Sequence, residues 1–220
     1  MRGWVRDHGL TLFMLGFFLV FLVAQTLTGQ RAYNDDQIAH GESAIHLGAY
    51  LRSSHFIEAT FENWESEYLQ MGIYVLATVF FFQRGSSESK DPDTEDAVDR
   101  DPRLDTATPN APWPVRHGGL MLRVYEHSLT IALLGMFLLS FVLHLWGGAR
   151  EYNQEQLAHG EHAVSTLKFL TTSPFWFQSF QNWQSEFLAV ASIAWLSVFL
   201  RQRGSPESKP VAAPHAQTGN

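Results

Sequence analysis

Two short polar motifs occur twice in this chain and contain the side chains best suited to chemistry. One is Ala-His-Gly-Glu; the other is Asn-Trp-x-Ser-Glu, whose asparagine and glutamate are four residues apart and share one helical face. Histidine and carboxylate together suit a divalent metal such as zinc, manganese or iron. The candidate polar-site residues are His40, Asn63, Glu67, His159, Asn182 and Glu186.

The Ala-His-Gly-Glu motif is not a chelating motif by itself. Residues two apart on a helix point about 200° away from each other, so His40 and Glu42 cannot bind one ion together. A metal site would have to join His40 and Glu67 with His159 and Glu186 across an axis that relates the two copies. In the alternative, each histidine packs in a stripe of small residues and hydrogen-bonds to a glutamate. We expect this structural role and predict no cofactor.

Other motifs typical of catalysis are absent from the sequence. It contains no GxSxG, P-loop, GxGxxG or CxxC motif, and no cysteine. The Gln-Arg-Gly-Ser segments at 83–86 and 202–205 resemble phosphate loops, but a glycine after an arginine is also typical of a helix C-terminus. We predict helix ends there, with a docking motif for a cytoplasmic partner as the alternative. The sequence favours a non-enzymatic protein and predicts no catalytic residue.

The motifs recur because the chain contains two copies of one sequence. Residues 8–90 align with residues 127–209 at a constant offset of 119 without a gap, and about 35 of the 83 pairs are identical. Such internal repeats determine architecture. The predicted organisation is a first repeat at 1–90, an acidic linker at 91–118, a second repeat at 119–209 and a tail at 210–220.

The linker and the tail have the composition of disordered segments. Eight of the 22 acidic residues lie between residues 86 and 105, in a stretch with too little apolar surface to order itself. The net charge of −7 therefore describes the linker and the outer loops. It gives no support for nucleic-acid binding, which uses a basic face.

Each copy contains two apolar segments that are predicted to cross a membrane as helices. About 20 apolar residues span a hydrocarbon core of about 30 Å. The first segment of each copy has no acidic or basic side chain apart from His144, and the second has an uncharged core. The N-terminal segment resembles a signal peptide, but its counterpart recurs in mid-chain, so both are predicted to be permanent anchors. The predicted spans are at about 10–27, 66–83, 129–146 and 185–202.

The loop inside each hairpin is predicted to contain an amphipathic helix. The form Asn-x-x-Gln, which begins at Asn34 and at Asn153, is typical of a helix N-cap. The helices would cover about 34–52 and 153–171. Ser54 and Ser173 would then begin the second helix of each copy, which the apolar pattern extends to Arg84 and Arg203.

Lysine and arginine predict the orientation in the membrane. Eleven of these 15 residues lie at the N-terminus, in the linker and its flanks, or after the last helix. Because such residues stay in the cytoplasm, both termini and the linker are predicted to be cytoplasmic. The loops at about 28–66 and 147–185 would face outward. The predicted fold is an all-α membrane protein with four transmembrane helices, as two parallel tandem repeats related by a pseudo-twofold axis along the membrane normal.

Several segments resemble a known family. They are "NWQSEFLAV", "RQRGSPESKPV", the following "APHAQTG" and the paired "YNxxQ" segments. With them the chain is similar to a family of bacterial integral membrane proteins, domain of unknown function 6766, over its whole length except the linker. The resemblance implies a four-helix architecture in the bacterial plasma membrane. It implies no particular activity, cofactor or catalytic residue.

Two classes of function follow, with a third behind them. We expect a non-enzymatic protein of the cell envelope whose doubled outer helices form a rigid cap for interaction, self-association or envelope maintenance. The alternative is a membrane protein that handles a small ligand, an ion or a metal, as a transporter or redox accessory, through a polar site at the pseudo-twofold axis. An enzyme acting on a lipid or a quinone is the third class. The predicted partner is the lipid bilayer; the linker allows pairing of hairpins within one chain or in a homo-oligomer, and the sequence identifies no protein partner.

Overall fold

The computed structural model describes residues 2–105, 108 and 110–219, and this part of the chain is all-α. It contains nine α-helices, two 3₁₀ turns at Ala97–Asp99 and Pro102–Asp105, and no strand. In chain order the α-helices are α1 (Arg2–Asp7), α2 (Gly9–Ala39), α3 (Leu47–Tyr50), α4 (Ser54–Phe80), α5 (Trp113–His117), α6 (Gly119–Glu126), α7 (Ser128–Ala158), α8 (Thr166–Phe169) and α9 (Ser173–Leu196).

Corresponding helices in the two copies begin at equivalent sequence positions. The helices α2 and α7 each have 31 residues, and α3 and α8 each have four. The helices α4 and α9, with 27 and 24 residues, begin at Ser54 and Ser173. All three pairs of starting positions differ by the offset of 119 found in the sequence.

Two of the helices, α2 and α7, are long and apolar enough to cross a membrane. Few residues in their most apolar stretches are buried by the rest of the chain. Apolar surface of this extent is normally covered by protein or lipid and is not exposed to water. The all-helical prediction is confirmed, whereas α4 and α9 do not reach the same length and apolar composition. Their crossing of the membrane therefore stays a prediction.

The predicted outer helices at about 34–52 and 153–171 do not form. Asn34 and Asn153 lie inside α2 and α7, which continue to Ala39 and Ala158 before they end. Only the one-turn helices α3 and α8 follow within the predicted ranges. The expected N-caps are therefore wrong.

A glycine motif explains where α2 and α7 end. Gly41 has a φ of +80°, and its N–H donates to the carbonyl of Ile38 at 3.1 Å. The N–H of Glu42 donates to the carbonyl of Gln37 at 2.8 Å, which completes a Schellman motif. The same bonds recur in α7 from Gly160 to Leu157 and from Glu161 to Gln156. Ala-His-Gly-Glu is thus a helix stop.

The helices α4 and α9 also end earlier than the sequence predicts. They stop at Phe80 and Leu196, before Arg84 and Arg203. The glycines that follow the two arginines, Gly85 and Gly204, both have a φ of +86°. Each glycine is the third residue of a turn, closed by bonds of 3.1 Å from Ser86 to Gln83 and 3.2 Å from Ser205 to Gln202. A positive φ at this position is typical of a type II turn.

The chain divides into two compact units, and each unit contains segments of both copies. Unit 1 consists of Met1–Phe61 and Val142–Phe175. Unit 2 consists of Glu62–Phe141 and Trp176–Asn220.

In unit 1, an aromatic residue at the end of each one-turn helix packs on a glycine. Tyr50 and Phe169 are each 1% exposed. A Cβ atom at Gly29 would collide with Oη of Tyr50, and one at Gly148 would lie 3.0 Å from Cε1 of Phe169. Gly29 and Gly148 are equivalent positions of the two copies, as are Tyr50 and Phe169. The same close packing therefore joins α2 to α3 and α7 to α8.

Two further aromatic rings complete each of these clusters. Tyr50 contacts the rings of Tyr33 and Phe56, with centroid distances of 5.8 and 5.6 Å. The corresponding distances from Phe169 are 5.2 Å to Tyr152 and 5.6 Å to Phe175. Aromatic pairs at such distances add about 0.5–1.5 kcal/mol beyond the area that they bury.

In unit 2, the acidic linker forms turns with local ion pairs, although its composition predicts disorder. Arg84 contacts Asp93 at 2.8 Å, and Arg100 contacts Asp105 at 2.9 Å. Exposed pairs of this kind add little to the stability of a fold. The tail at 210–219 also adopts turns.

Candidate functional site

Unit 1 contains a polar cleft of about 840 Å³ that is lined by residues of both copies. It lies at the C-terminal ends of α2 and α7, and its lining includes four carboxylates and two histidines. No lysine or arginine is among the described residues that line it. The lining residues are Tyr33, Asp36, Gln37, His40, Glu42, Glu151, Gln154, Glu155, Leu157, Ala158 and His159.

His40 and His159 line this cleft together, and both are held in the same way. Nδ1 of His40 donates to the carbonyl of Asp36 at 2.9 Å, and Nδ1 of His159 donates to the carbonyl of Glu155 at 2.8 Å. Because a carbonyl only accepts, each neutral ring carries its proton on Nδ1 and has its lone pair on Nε2. Each of these bonds is local, to a backbone carbonyl of the same helix, and the predicted bond from a histidine to a glutamate stays a prediction.

Glu151, which lines the cleft, accepts a hydrogen bond from the first residue of α4. The hydroxyl of Ser54 donates to Oε2 of Glu151 at 2.8 Å, and Ser54 is 6% exposed. A carboxylate next to the first residue of a helix is favoured by the helix dipole. Glu151 is not repeated, because its counterpart is Ala32. The search for repeated polar residues therefore missed it.

The electrostatics of the cleft favour positive ligands. Its four carboxylates lie near two helix C-termini, where the exposed carbonyls carry partial negative charge. Burial, and then the negative charge of Glu151, raises the pKa of the Tyr50 phenol. The negative electrostatic potential near the cleft therefore disfavours a further negative charge there.

The four predicted metal ligands belong to different compact units of the chain. His40 and His159 belong to unit 1, whereas Glu67 and Glu186 belong to unit 2. Within the described part of the chain, no group of three or more His, Cys, Asp or Glu side chains is arranged to hold a metal ion. The cleft can still attract a cation by charge, through carboxylates that are spread along its walls.

The Asn-Trp-x-Ser-Glu motif forms hydrogen bonds with α4 in unit 2. Nδ2 of Asn182 donates to Oε1 of Glu62 at 2.5 Å, and Nε1 of Trp183 donates to Oε1 of Glu65 at 3.1 Å. Glu65 is fully buried. The repeat pattern does not reveal Glu62 or Glu65, because their counterparts in the second copy are glutamines.

The remaining residues of this motif have a separate arrangement. The carbonyls of Asn63 and Asn182 accept a bond of 2.8 Å from Ser66 and from Ser185, respectively. Glu67 and Glu186 lie close enough for their charges to interact. The motif therefore brings together the two predicted glutamates and joins α9 to α4.

These observations define an all-helical protein with two helices that could cross a membrane and an acidic, histidine-containing cleft. The chain belongs to the family described as a domain of unknown function (DUF6766), whose model matches residues 1–220. Comparison with curated proteins and with solved structures gives no match.

Proposed function

We propose that this chain is a multi-pass protein of the bacterial plasma membrane that binds a small cationic ligand in the cleft of unit 1. The observation that carries the proposal is the cleft itself, with four carboxylates, two histidines and no lysine or arginine among its described lining residues. Binding, rather than catalysis, is the proposed activity, because the sequence contains none of the common catalytic motifs.

The distribution of basic residues supports a membrane arrangement for this activity. In the proposed topology α2 and α7 cross the bilayer first in each copy, and the later apolar segments at 66–83 and 185–202 return. Both termini and the linker are cytoplasmic, in agreement with the eleven basic residues in those parts. The cleft-lining residues at 33–42 and 151–159 then belong to the outward side. A ligand would reach the cleft from outside the cell.

The proposed ligand class follows from the charge of the lining. Each added positive charge near a partly exposed carboxylate is stabilised by about 0.2–1 kcal/mol, and several carboxylates act together. A polyamine or a hydrated divalent cation fits an open cleft of about 840 Å³.

Titration calorimetry on the full chain in lipid nanodiscs tests the proposal, with spermidine and Mn²⁺ as probes. Glu42→Gln removes a carboxylate from the lining and should weaken binding about twofold to fivefold. Glu161→Gln is the matched control, because Glu161 is the counterpart of Glu42 in the second copy and is not among the lining residues. Equal effects of the two variants, or no binding of either probe at millimolar concentration, would refute the proposal.

A structural role in the cell envelope is the second candidate function. The aromatic clusters around Tyr50 and Phe169 favour it, because they make the segments after α2 and α7 rigid. In this case Gly29→Ala should impair envelope integrity while cation binding is absent in the unmodified protein. A binding signal that depends on Glu42 would instead favour the ligand-binding function.

A further inference from the structure

The C-terminal segment at residues 210–219 contacts the loop that follows α4, far away in sequence. The N–H of Gly85 donates to Oγ1 of Thr218 at 2.9 Å, and the N–H of Gly219 donates to the carbonyl of Ser86 at 2.9 Å. All of these residues belong to unit 2. The end of the second copy is thus bonded to the loop at the end of the first.

The contact requires a glycine at position 85. A Cβ atom there would lie 2.5 Å from the carbonyl oxygen of His215, and the φ of Gly85 is +86°. The equivalent Gly204 has the same φ, but nothing lies within 4 Å of its Cβ position. The turn alone explains a glycine in both copies. The approach of the tail is specific to the first copy.

The same segment is attached to the end of α9. Nη2 of Arg201 donates to the carbonyl of Ala213 at 3.3 Å, and Nδ1 of His215 donates to the carbonyl of Val198 at 3.0 Å. Nη1 of Arg201 also donates to the carbonyls of Ser197 and Val198. The arginine therefore caps the end of α9 and binds the tail at once.

Lys209 holds the segment in its folded path. The side chain is 1% exposed, and Nζ donates to the carbonyls of His215 at 3.0 Å and Gln217 at 2.8 Å, with Pro214 at 3.4 Å. Its counterpart in the first copy, Lys90, instead contacts Asp99 at 2.5 Å and faces the ring of Phe82. One sequence position thus has two different uses, and only Lys209 binds the tail.

We propose that residues 210–219 form a strap, with Lys209 as its latch, that fastens the loop of the first copy to the end of the second copy within one chain. The long linker allows the two copies to associate within one chain or between chains. The strap makes this association intramolecular. It does not depend on ligand binding in unit 1.

Amide hydrogen exchange of the full chain tests the latch. Lys209→Met removes three donors and keeps the aliphatic stem, so peptides covering 83–89 and 212–220 should exchange at least about tenfold faster. Lys90→Met is the control and should leave both peptides protected. Unchanged protection of a peptide covering 128–141, the part of α7 that belongs to unit 2, shows that this unit is still folded.

A second variant covers the case in which Lys209→Met does not fold. Thr218→Val removes only the acceptor of the Gly85 N–H, so it should increase exchange in peptide 83–89. If neither Thr218→Val nor a folded Lys209→Met changes exchange there, or if Lys90→Met acts in the same way, the latch is disproved.

An engineered disulfide tests whether the loop of the first copy and the end of the second copy meet within one chain. Oγ of Ser87 donates to the carbonyl of Glu207 at 3.0 Å, so the two backbones are close. The natural sequence has no cysteine, so Ser87→Cys combined with Glu207→Cys gives one unambiguous pair. We expect a disulfide-bonded monomer on a non-reducing gel, with the same yield at low and high protein concentration. A disulfide-bonded dimer would overturn the intramolecular strap.

Discussion

Asn34 and Ile45 are joined by two hydrogen bonds between one side chain and one residue's backbone. The N–H of Ile45 donates to Oδ1 of Asn34 at 2.8 Å, and Nδ2 of Asn34 donates to the carbonyl of Ile45 at 3.0 Å. Asn153 and Val164 repeat the arrangement at 2.7 and 2.8 Å. An amide side chain can do this because it carries a donor and an acceptor. Each asparagine thereby stabilises the loop in which the chain turns back after α2 or after α7.

Replacing Asn34 with leucine should destabilise the protein. The change leaves the N–H of Ile45 without this acceptor, which costs about 1–3 kcal/mol for a group shielded from water, whereas the carbonyl of Ile45 still accepts from Nε2 of Gln30 at 2.9 Å. Asp35→Leu is the control, since Asp35 is exposed on the adjacent position of α2. Thermal unfolding in detergent measures the difference. An unfolding temperature of Asn34→Leu equal to that of the control would contradict the role of this side chain.

The same asparagine shows where sequence reasoning succeeded and where it did not. The spacing Asn-x-x-Gln fits a helix N-cap, but the partner of Asn34 is 11 residues away, and a local pattern cannot reveal such a bond. The correct signal was Gly41, because a glycine after a helical run is typical of the C′ position. The apolar runs, by contrast, predicted α2 and α7 well, because their pattern needs no tertiary partner.

Replacing Gly29 with alanine should destabilise unit 1. The added Cβ would collide with the buried Tyr50, and overpacking of this kind costs about 1–3 kcal/mol. Gly16→Ala and Gly135→Ala are matched controls, because nothing lies within 4 Å of the Cβ position at either residue. These controls should be neutral or more stable by up to about 1 kcal/mol, since alanine favours helix.

A double variant tests the steric cause of that effect. Tyr50→Phe removes the hydroxyl that Gly29→Ala would strike, so the combined variant should recover part of the lost stability. Comparison of chemical unfolding for the two single variants and the double variant gives the coupling energy. Strictly additive effects would show that the glycine acts in another way.

Tyr50 should also make stability depend on pH in the alkaline range. Burial and the charge of Glu151 raise the pKa of Tyr50 above its ordinary value of 10.0. The folded state therefore holds this proton more tightly, and the resulting stability is present below about pH 10 and is lost as the pH rises through the folded pKa. Tyr50→Phe should flatten the decrease in stability above about pH 10, whereas the exposed Tyr125→Phe should not. Unfolding curves and tyrosinate absorbance between about pH 8 and pH 11 measure the effect.

The search for repeated residues found only part of each polar site. It selected His40 and His159, which line one cleft, because both copies keep the histidine of the helix stop; their role in binding stays a prediction. It could not select Glu151 or Glu65, which have no acidic counterpart in the other copy. Where two copies come together, one residue often meets a different partner on each side. Contacts of this kind depend on the packing of helices, and the repeat pattern does not encode them.

Glu65 gives the sharpest test of the contact between α4 and α9. It is fully buried and accepts the indole N–H of Trp183 at 3.1 Å. Glu65→Leu should leave that N–H without this acceptor and cost about 1–3 kcal/mol, whereas Glu65→Gln keeps a side-chain carbonyl for it. The indole N–H resonance of Trp183 should move in Glu65→Leu and stay close to its original position in Glu65→Gln. Gln184→Leu, at the exposed counterpart of Glu65, should change neither stability nor this resonance. An unmoved resonance in Glu65→Leu would show that α4 and α9 are joined by other contacts.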